Sequence, residues 1–560
     1  MRREPKFSIG TWDIETQSIE DLSLRTIGAY DGTDYTEFET VPEFLNFTCQ
    51  PKYHGTRWFS HNGGKFDDMF LWDWLRQVRP DIDFTFFCAG SCVVSMTLFQ
   101  GPHYWKFCDS YRLMDAPLHK LTHEWDVQHK KLEFAPDDVD YNRHDCLGLY
   151  EVLEKFFGQF DVYAETVASQ ALKVYRSHFL KDTLHSPPAF VEAAARAAYV
   201  GGRCEVYRHD PARLNKYDVN SLYPRAMLDP VPVEYLSASR RLTDRENEIG
   251  FYEADISYPD CYLPVLPMMI ENRLFFPVGN FHGFFTSLEL LEADRAGASI
   301  KIRMGYIFRT DRIFAEYVDS LYKMKLQAER DGNAAIRWIS KKLLNSLYGK
   351  FGQRREQSVY IRDPGTPRID MSNPRSPIIE PVPGLPGVAM YERLSRSMHI
   401  LPHIAATVTS RARLLDHKYL SDAGQIWYTD TDSVFTDREI PTGEALGDLK
   451  LEGTGDFQAY GLKEYKFDGE MNIKGVSLTV TDPTTGKKTI DRTIGERYIA
   501  GDAIHYKRMS GIKEQMRRGR TRLERIDQTK IRRVRIEKRA RVGQDTRPWR
   551  AYEISQRKPL

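Results

Sequence analysis

The sequence predicts a multidomain protein of mixed α/β and α+β structure. Its 560 residues exceed what a single hydrophobic core usually supports, so several domains are expected. Residues up to about 160 alternate between strand and helix patterns, and residues 161–198 are helical and rich in alanine. A stretch dense in Pro, Gly, Asn and Ser at residues 363–386 separates a helical region from a later region of strands. We therefore expect three or more structural units.

The composition and the cysteines indicate a cytoplasmic protein with no membrane partner. No apolar run is long enough to span a bilayer, and no signal-peptide stretch separates the first residues from the first strand. The seven cysteines are odd in number, scattered and without a CxxC pair, which is typical of reduced thiols. A zinc site at Cys88, Cys92 and Cys108 is the alternative, although this spacing matches no common zinc motif.

The net charge of +1 conceals a strongly basic C-terminal segment. Residues 506–560 hold 19 Lys and Arg against 6 Asp and Glu, a local charge of +13. Such a segment favours contact with a phosphate backbone. A solvated charged tail is the alternative, but Val534, Ile536, Trp549 and Tyr552 are interleaved with the charges and indicate a folded segment.

A first set of acids begins on the strand predicted at residues 7–16. Its period of two places Asp13 and Glu15 on one face. Two such acids favour a divalent cation, and an exposed strand end is the alternative. Asp67 precedes an apolar run and could be an ordinary helix N-cap. Asp145 lies on the inward face of a helix, one turn after Tyr141. Two metal ions held by these acids could activate water and hold the leaving oxygen of a phosphodiester.

These segments resemble the three exonuclease motifs of proofreading DNA polymerases: Asp-Ile-Glu-Thr at 13–16, Asn-x3-Phe-Asp at 62–67 and Tyr-x3-Asp at 141–145. The resemblance implies four metal ligands, Asp13, Glu15, Asp67 and Asp145. Tyr141 would orient the attacking water, and a lysine also expected in part of the family is Lys131, with Lys130 as the competitor. Asn62 and Phe66 would hold the primer end, with His61 beside them and Ser110 near the single-strand channel.

A second set of acids lies in two strand patterns further along the chain. Residues 216–224 read as a strand that ends in a turn, from which Asp218 projects. Main-chain amides at such a turn suit triphosphate oxygens. Residues 425–435 read as two short strands around Asp430 and Asp432, whose apolar flanks make a surface loop a poor explanation. These paired acids again favour a metal ion.

Between the two strand patterns the sequence predicts two helices, at residues 313–329 and 334–348, with Gly349 as the cap of the second. One face of the second helix is apolar: Ile336, Ile339, Leu343 and Leu347. The opposite face carries Arg337, Lys341, Asn345 and Tyr348. Two cations, an amide and a ring on one stripe can grip phosphates and stack on a base, whereas a solvated helix face is the alternative.

Asp-x2-Ser-Leu-Tyr-Pro, Lys-x3-Asn-Ser-Leu-Tyr-Gly and Tyr-x-Asp-Thr-Asp-Ser resemble motifs A, B and C of family B DNA polymerases. Residues 463–465 resemble the Lys-x-Tyr motif that contacts primer, and residues 199–202 resemble the Tyr-x-Gly-Gly turn between exonuclease and polymerase. The resemblance implies that Asp218 and Asp432, with the main chain of Val219, hold two Mg²⁺ (or Mn²⁺) ions, with Asp430 close by. Each active site would take two ions.

The same resemblance assigns the substrate contacts. The residues expected at the nucleotide are Val219, Ser221, Leu222, Tyr223, Arg337, Lys341, Asn345 and Tyr348. Tyr223 would lie under the sugar, where a ribose 2′-hydroxyl would clash. The expected DNA contacts are His61, Asn62, Phe66, Ser110, Tyr199, Gly201, Gly202, Lys463 and Tyr465.

Chain length and the Tyr-x-Gly-Gly turn resemble the protein-primed polymerases of small phages and linear plasmids. Their fold implies an RNase H-like 3′→5′ exonuclease domain followed by a right-hand polymerase with insertions. The chain then divides into an exonuclease domain (1–163), a linker and first palm part (164–230), a first insertion resembling terminal protein region one (231–310), fingers (311–352), a second insertion resembling terminal protein region two (353–400), a second palm part (401–475) and a basic thumb-like region (476–560).

The expected function is template-directed DNA synthesis with proofreading, replicating a phage or mobile-element genome. The expected partners are a DNA primer-template, dNTPs and a terminal priming protein, and we expect a monomer. Primer-independent synthesis and ordinary nucleic-acid priming are alternatives to protein priming. A dedicated exonuclease whose second half only binds DNA and an inactive architectural DNA-binding protein are the rival functions. Both rivals predict a degraded set of polymerase acids, whereas Asp218, Asp430 and Asp432 are all present.

Overall fold

The computed structural model describes residues 7–17, 22–78, 81–89, 92–132, 140–354, 356–362, 379–382, 387–394, 397–481, 488–511, 514, 525–532 and 537–556. Up to residue 163 the elements are β1 (Ile9–Thr16), β2 (Leu24–Tyr30), β3 (Tyr35–Phe38), α1 (Val41–Thr48), β4 (Arg57–Ser60), α2 (Asp67–Val78), β5 (Asp83–Ala89), β6 (Cys92–Gln100), β7 (His103–Asp109), α3 (Leu118–Glu124) and α4 (Tyr141–Phe160). Short 3₁₀ turns lie at Pro51–Tyr53, Gly63–Lys65 and Ser110–Arg112.

From residue 164 to 352 the elements are α5 (Val167–His178), α6 (Ala189–Ala197), β8 (Cys204–Val206), β9 (Ala212–Val219), α7 (Leu222–Met227), β10 (Val231–Ser239), β11 (Glu248–Tyr258), β12 (Met268–Ile270), β13 (Arg273–Phe275), β14 (Gly279–Thr286), α8 (Ser287–Arg295), β15 (Ser299–Asp311), α9 (Ala315–Arg330) and α10 (Ala334–Phe351).

The remaining elements are β16 (Glu356–Arg362), β17 (Ile379–Pro381), β18 (Val388–Leu394), α11 (Pro402–Ala423), β19 (Tyr428–Asp430), β20 (Ser433–Thr436), β21 (Leu449–Gly461), β22 (Glu464–Phe467), β23 (Glu470–Ile473), β24 (Thr479–Thr481), β25 (Lys488–Ile490), α12 (Arg492–Ala500), β26 (Ile504–Met509), β27 (Arg525–Lys530), β28 (Ala540–Val542), β29 (Asp545–Arg547) and α13 (Ala551–Ser555). Among the helices in these described ranges, none is both long and apolar enough to cross a membrane.

A ten-stranded sheet carries the first set of acids. Its order is β17-β18-β16-β5-β6-β7-β4-β1-β2-β3, and only the β1–β4 and β4–β7 pairs are parallel. Trp12 and Ile14 of β1 are buried in the core on one face, so Asp13 and Glu15 project from the other, as their period of two predicted. Thr11 donates a 2.7 Å hydrogen bond to the carbonyl of Cys146, which fixes α4 on that acid-bearing side of β1.

The second insertion does not form a unit of its own. Strand β16 pairs with β5 in antiparallel register, and β18 and β17 follow it, so these three strands extend the N-terminal sheet. The ring of Tyr360 stacks on Phe86 with centroids 4.7 Å apart, which ties the added strands to the N-terminal core. Most of the Pro- and Gly-rich stretch at 363–386 lies outside the described residues.

The second set of acids lies on a seven-stranded antiparallel sheet of order β23-β22-β21-β9-β20-β19-β8. The strand predicted at residues 216–224 ends at Val219, because Ser221 adopts a left-handed conformation (φ 58°) and α7 begins at the next residue. Helix α11 packs on α7 behind this sheet. The hairpin predicted around Asp430 and Asp432 is present as β19 and β20.

The two predicted helices before the second insertion are present as α9 and α10, and Asn333 caps α10 by accepting the amide of Ile336. The exposed and buried faces of α10 fall where the sequence placed them, although Ile336 is half-buried. The predicted end at Gly349 is wrong. The helix continues to Phe351, which is fully buried, and Gly352 forms the cap.

The first insertion is a four-stranded antiparallel sheet of order β10-β15-β11-β14 with α8 against it. A buried ion pair joins it to the palm: Arg413 of α11 contacts Glu289 of α8, with Nη2 and Oε1 2.7 Å apart. Arg413 Nη1 also donates to the carbonyls of Val200 and Gly201 at 2.6 and 3.0 Å. The Tyr-x-Gly-Gly turn is thereby fixed between the palm and the first insertion.

The region predicted to be thumb-like divides in two. Strands β24 to β27 and α12 form one part, whereas residues 537–556 return to the palm and the first insertion. Thr546 donates to the carbonyls of Val206 and Tyr207, and Val278 donates its amide to the carbonyl of Trp549. Val534 and Ile536 lie outside the described residues. Residues 537–556 are folded and pack on the palm and the first insertion, and the contact of the basic segment with a phosphate backbone stays a prediction.

A buried histidine makes the stability of the fold sensitive to acid. His403 of α11 is buried against Phe308 with ring centroids 4.8 Å apart, and burial lowers its pKa from 6.5 to about 3. The unfolded chain takes up a proton near pH 6.5, so stability present above that pH is lost as the pH falls toward 3. Between pH 7 and pH 5, protonation of His403 in the unfolded chain should lower the free energy of unfolding by about 2 kcal/mol. We expect His403→Phe to abolish this loss, and the measurement is a smaller drop in Tm over the same pH range. His505→Phe, at an exposed position of β26, is the control. An unchanged drop in Tm for His403→Phe would contradict this assignment.

Candidate active sites

The first acid cluster lies between β1 and α4. Carboxylate oxygens of Asp13, Glu15 and Asp145 all lie within 4.8 Å of one another. Asn142 of α4 donates to the main-chain carbonyl of Asp13 at 3.1 Å, so the helix and the strand are held together beside the acids. Asp67, at the start of α2, accepts the amide of Ile14 at 3.1 Å and is therefore adjacent to the cluster. The structure thus brings together the four acids that the sequence selected.

Burial gives these acids unusual proton affinities. Burial, and then the charge of Asp145, raises the pKa of Glu15 to about 7. Burial also raises the pKa of Asp67 to about 7, although the amide of Ile14 opposes the change. For Asp13, burial and the neighbouring acids raise the pKa well above its ordinary value. Four carboxylates that repel one another in a buried site are stabilised by divalent cations, and their oxygen donors are the ligands that Mg²⁺ and Mn²⁺ prefer.

The choice between two neighbouring lysines is settled by their contacts. Lys131 forms an ion pair with Asp145, and its ammonium lies 4.3 Å from the ring centroid of Tyr141. Lys130 instead contacts Asp126 at 3.3 Å on the exposed side. Burial lowers the pKa of Lys131, but the charges of Asp145 and Asp13 raise it more, so the net pKa is above the ordinary value. Lys131 therefore lies in the cluster as a cation.

The loop that follows β4 is held by hydrogen bonds from the end of β7. His61 contacts Ser110 Oγ at 2.9 Å and the carbonyl of Ala116 at 2.8 Å, and burial lowers the pKa of its imidazole to about 4. Ser110 is fully buried and donates to the carbonyl of Ser60. The Ser110 hydroxyl is therefore engaged inside the loop, and the His61 ring also packs against Tyr111 with centroids 5.5 Å apart. Contact of either side chain with DNA stays a prediction.

Asn62 adopts a left-handed backbone conformation with φ 68°, and Phe66 packs edge-on against Phe70. Asn62 is supported by a residue that no sequence motif indicated. Asp109, at the end of β7, is 1% exposed and accepts the amides of Asn62 and Tyr111 at 2.8 and 3.0 Å. The only available signal was a polar residue at the end of an apolar strand, which is common without function.

The pairing of β9 with β20 brings the acids of the second cluster together. Asp218 of β9 pairs with Ser433 of β20, and the amide of Val219 donates to the carbonyl of Asp432 at 2.8 Å. Burial and the charge of Asp432 raise the pKa of Asp218 to about 7, and burial and Asp430 raise that of Asp432. These neighbouring acids fit a divalent cation for the same reason as the first cluster.

Asp430, the third acid of this set, forms an ion pair with a lysine. Its Oδ1 lies 2.6 Å from Lys463 Nζ. Among the described residues, only Asp13, Glu15 and Asp145 converge as a group of three within 4.8 Å, so Asp430 does not complete a second such group. This arrangement agrees with a pair of ligands, Asp218 and Asp432, and a nearby third acid. Tyr465 of the same motif packs on Tyr428 with centroids 5.3 Å apart.

The Tyr-x-Gly-Gly turn lies against this cluster. The amide of Thr431, between the two acids, donates to the carbonyl of Arg203 at 2.7 Å. A Cβ on Gly202 would lie only 2.7 Å from Thr431 Cγ2, so this close approach needs glycine. At the other end of the turn, the Tyr199 ring packs against Gly352 at the end of α10. The turn therefore connects the Asp430 hairpin with the fingers helix.

The exposed stripe of α10 faces the second acid cluster. Lys341 is close enough for its charge to lower the pKa values of both Asp218 and Asp432. Arg337, Lys341 and Asn345 are exposed, and Arg337 also contacts Glu329 at 3.4 Å. These three side chains are accessible, and their contact with a triphosphate stays a prediction.

The Tyr348 ring stacks on Tyr223 of α7 with centroids 4.6 Å apart and an interplanar angle of 16°. The two stacked rings form an aromatic surface between the fingers helix and the palm. Val219 and Leu222 are buried, so only their main-chain atoms are available to a nucleotide. Ser221, with its left-handed backbone, sets the direction of the Leu222 amide, whereas the Val219 amide donates to the carbonyl of Asp432.

The known proteins that this chain resembles in sequence include several DNA polymerases. Residues 123–366 match the family model of DNA polymerase type B, organellar and viral. A probable DNA polymerase of Neurospora intermedia is 28% identical over 59% of this chain, and the match spans 36% of that longer protein. The DNA-directed DNA polymerase of Enterobacteria phage PRD1 is 24% identical over 86% of this chain and 88% of its own length.

The fold also has known counterparts. Phi29 DNA polymerase complexed with primer-template DNA and incoming nucleotide superimposes with a TM-score of 0.70, at 17% identity, over 94% of this chain and 100% of that one. Its complex with single-stranded DNA gives 0.69. The predicted fold class, an exonuclease domain followed by a right-hand polymerase, is therefore confirmed. In sequence the chain is similar to organellar and viral type B DNA polymerases, and in fold it is similar to phi29 DNA polymerase.

Proposed function

We propose that this protein is a template-directed DNA polymerase with its own 3′→5′ proofreading exonuclease, using Mg²⁺ or Mn²⁺. The observation that carries the polymerase is the register that sets Asp218 beside Asp432, in front of the cationic stripe of α10. The PRD1 and phi29 enzymes support the proposal as relatives. We propose the ligands of the phi29 complexes, primer-template DNA, single-stranded DNA and incoming nucleotides, for this chain as well.

In the polymerase site, Asp218 and Asp432 would hold two ions, which supply activation of the primer 3′-hydroxyl and neutralise the charge of the triphosphate. Lys341 would bind the triphosphate, and Asn345 would help to position the nucleotide. The stacked rings of Tyr223 and Tyr348 would form the surface beneath the sugar and the nascent pair. Lys463, in contact with Asp430, would meet the primer strand.

In the exonuclease site, Asp13, Glu15, Asp67 and Asp145 would hold the ions. Tyr141 would orient the attacking water, and Lys131, paired with Asp145, would help to balance the charge of the acids around the scissile phosphate. Asn62 and Phe66 would hold the frayed primer end. Compared with the proposal of polymerase activity, the proposal of exonuclease activity depends more on the convergence of the acids.

We propose replication of a phage or mobile-element genome, with protein priming as the mode that the two insertions favour. Nucleic-acid priming is the alternative. The two are separated by supplying a template with or without a DNA primer, together with any small protein encoded beside this one. Transfer of the first nucleotide to a protein hydroxyl would support protein priming, and extension that always needs a primer would exclude it.

Primer extension by the purified protein tests the proposed function. With Mg²⁺, dNTPs and a labelled primer-template, the primer should lengthen as the template dictates, and without dNTPs single-stranded DNA should be shortened from its 3′ end. Addition of EDTA should stop both reactions. Degradation without any incorporation would instead support the dedicated nuclease, and absence of both activities would support the architectural DNA-binding protein.

Tyr223 is expected to select the sugar. Because its ring is stacked on Tyr348 beneath the predicted nucleotide, Tyr223→Val should open space for a 2′-hydroxyl and raise incorporation of ribonucleotides relative to deoxynucleotides about 10- to 100-fold. The measurement is the ratio of kcat/KM for the two substrates. Tyr104→Val, at an exposed site in the N-terminal domain, is the control. Unchanged sugar selection would remove the assigned role.

A further inference from the structure

A buried ion cluster lies directly behind the turn of residues 430–432. Arg539 and Glu205 are fully buried, and Arg203 is 2% exposed. Glu205 Oε2 lies 3.6 Å from Arg539 Nη1 and 3.5 Å from Arg203 Nε, and it accepts the Tyr207 hydroxyl at 2.9 Å. Asp416 of α11 is also fully buried: burial raises its pKa, and the charge of the nearby Arg203 opposes this rise. Two carboxyl groups therefore face two guanidinium groups in the interior of the palm.

This cluster is joined to the polymerase acids through β8. Glu205 pairs with Thr429 across the β8–β19 ladder, and Cys204 pairs with Asp430. The carbonyl of Arg203 accepts the amide of Thr431, which adopts a left-handed conformation with φ 71°. The position of β8 thus fixes the position and orientation of the turn that carries Asp430 and Asp432.

Arg539 reaches the cluster from the returning C-terminal segment, more than three hundred residues away along the chain. Its Nε donates to Thr546 Oγ1 at 2.9 Å, and its Nη2 donates to the carbonyl of Tyr262 at 3.0 Å. The guanidinium also lies 4.4 Å from the ring centroid of Tyr207. These contacts come from the C-terminal segment, the first insertion and the palm, so the orientation of Arg539 is fixed from three sides.

A contribution to stability does not by itself explain the cluster, because several of its buried polar atoms lack hydrogen bonds within the described part of the chain. Arg203 Nε, Glu205 Oε1 and Arg539 Nη1 are buried without a hydrogen-bond partner among the described residues. A buried ion pair contributes little net stability compared with a well-packed apolar pair, whereas loss of one partner leaves an unpaired buried charge. The cluster lies one strand behind the site, where a small displacement of β8 would move both acids.

We propose that Arg539 is a positioning residue for DNA synthesis: by balancing Glu205, it holds β8 where the turn sets Asp432 beside Asp218, with Asp430 close by. This inference rests on the proposed polymerase activity. It assigns to the basic C-terminal segment a role in the palm that does not depend on DNA contact.

Arg539→Met tests the proposal in the full-length protein. We expect kcat for nucleotide incorporation to fall about 10- to 100-fold with little change in KM for dNTP, and half-maximal activation to need more Mg²⁺. Degradation of single-stranded DNA, measured on the same preparation, should be unchanged. Adding Glu205→Gln to Arg539→Met should restore kcat to within about 3-fold, because it removes the carboxylate that Arg539 balanced and leaves Asp416 as the counter-charge of Arg203. Arg295→Met, in an exposed pair with Glu292, is the matched control.

The possible outcomes separate the proposal from a purely structural role. Unchanged kcat in Arg539→Met would overturn it, as would parallel loss of both activities and of Tm that Glu205→Gln does not restore. If Arg539→Met does not fold, Arg539→Lys, which keeps the charge, and the double variant decide: activity in both supports the proposal, and inactivity of a folded double variant overturns it. A wild-type protein that degrades DNA without extending primers would instead disprove the proposed polymerase.

Discussion

Asp432→Asn should reduce nucleotide incorporation by about 10³-fold or more while leaving degradation of single-stranded DNA intact. The substitution keeps the size of the side chain and its place beside Asp218, but it removes one of the two charges that would hold the metal ions. Without them, neither the primer hydroxyl nor the triphosphate has the counter-charge that the displacement needs. The measurement is single-nucleotide incorporation on a primer-template, with degradation of an unpaired strand run in parallel.

The control for this prediction is Asp437→Asn, an exposed acid just beyond β20. It should leave both activities unchanged, which separates loss of a ligand from a general change of charge. Incorporation by Asp432→Asn at the wild-type rate would show that the second acid set is not the polymerase site. Loss of both activities together would point to misfolding, and the Tm of the variant would reveal it.

The combined change Asp13→Ala and Glu15→Ala is expected to abolish degradation, by about 10³-fold or more, and to leave primer extension unchanged. Both side chains belong to the three carboxylates that meet within 4.8 Å, so their removal leaves Asp145 without the partners of a shared metal site. The stability should not fall, because the pKa values of both acids are raised and their charges repel one another in the native state. The readout is release of nucleotides from a 3′-labelled strand.

Asp34→Ala combined with Glu39→Ala, at exposed positions of the same domain, is the matched control and should retain degradation. A second readout is fidelity: the Asp13 and Glu15 variant should extend a mismatched primer end that the wild-type protein first removes. Extension that is lost together with degradation would contradict two independent sites. Retained degradation would remove these acids from the nuclease.

The sequence predicted the local framework of both sites well, because each acid lies on an element with a clear hydrophobic period. The alternation around Asp13 and Glu15 and the two faces of α10 required only neighbouring residues. The C-terminal end of α10 was harder to predict from the sequence. Gly349 is a good cap locally, and only the packing of Phe351 against distant residues extends the helix. Local propensity is decided by tertiary contacts at such positions.

Features that join distant parts of the chain could not be predicted. Nothing near Ser110 shows that its hydroxyl is buried, and nothing near Asp109 shows that it supports Asn62. Both facts depend on the parallel pairing of β4 with β7. The choice of Lys131 over Lys130 likewise needed the direction of each side chain toward Asp145 or Asp126. One sequence carries no record of such pairings unless a motif is already known.

The pairing of β16 with β5 limits how the N-terminal domain can be isolated. A fragment that stops at residue 163 would leave the backbone of β5 unpaired along an open edge, and it would uncover the face of Phe86 on which Tyr360 stacks. An unprotected edge strand of this kind recruits other chains and promotes aggregation. A stand-alone N-terminal domain would therefore need strands β16, β17 and β18, attached through a linker.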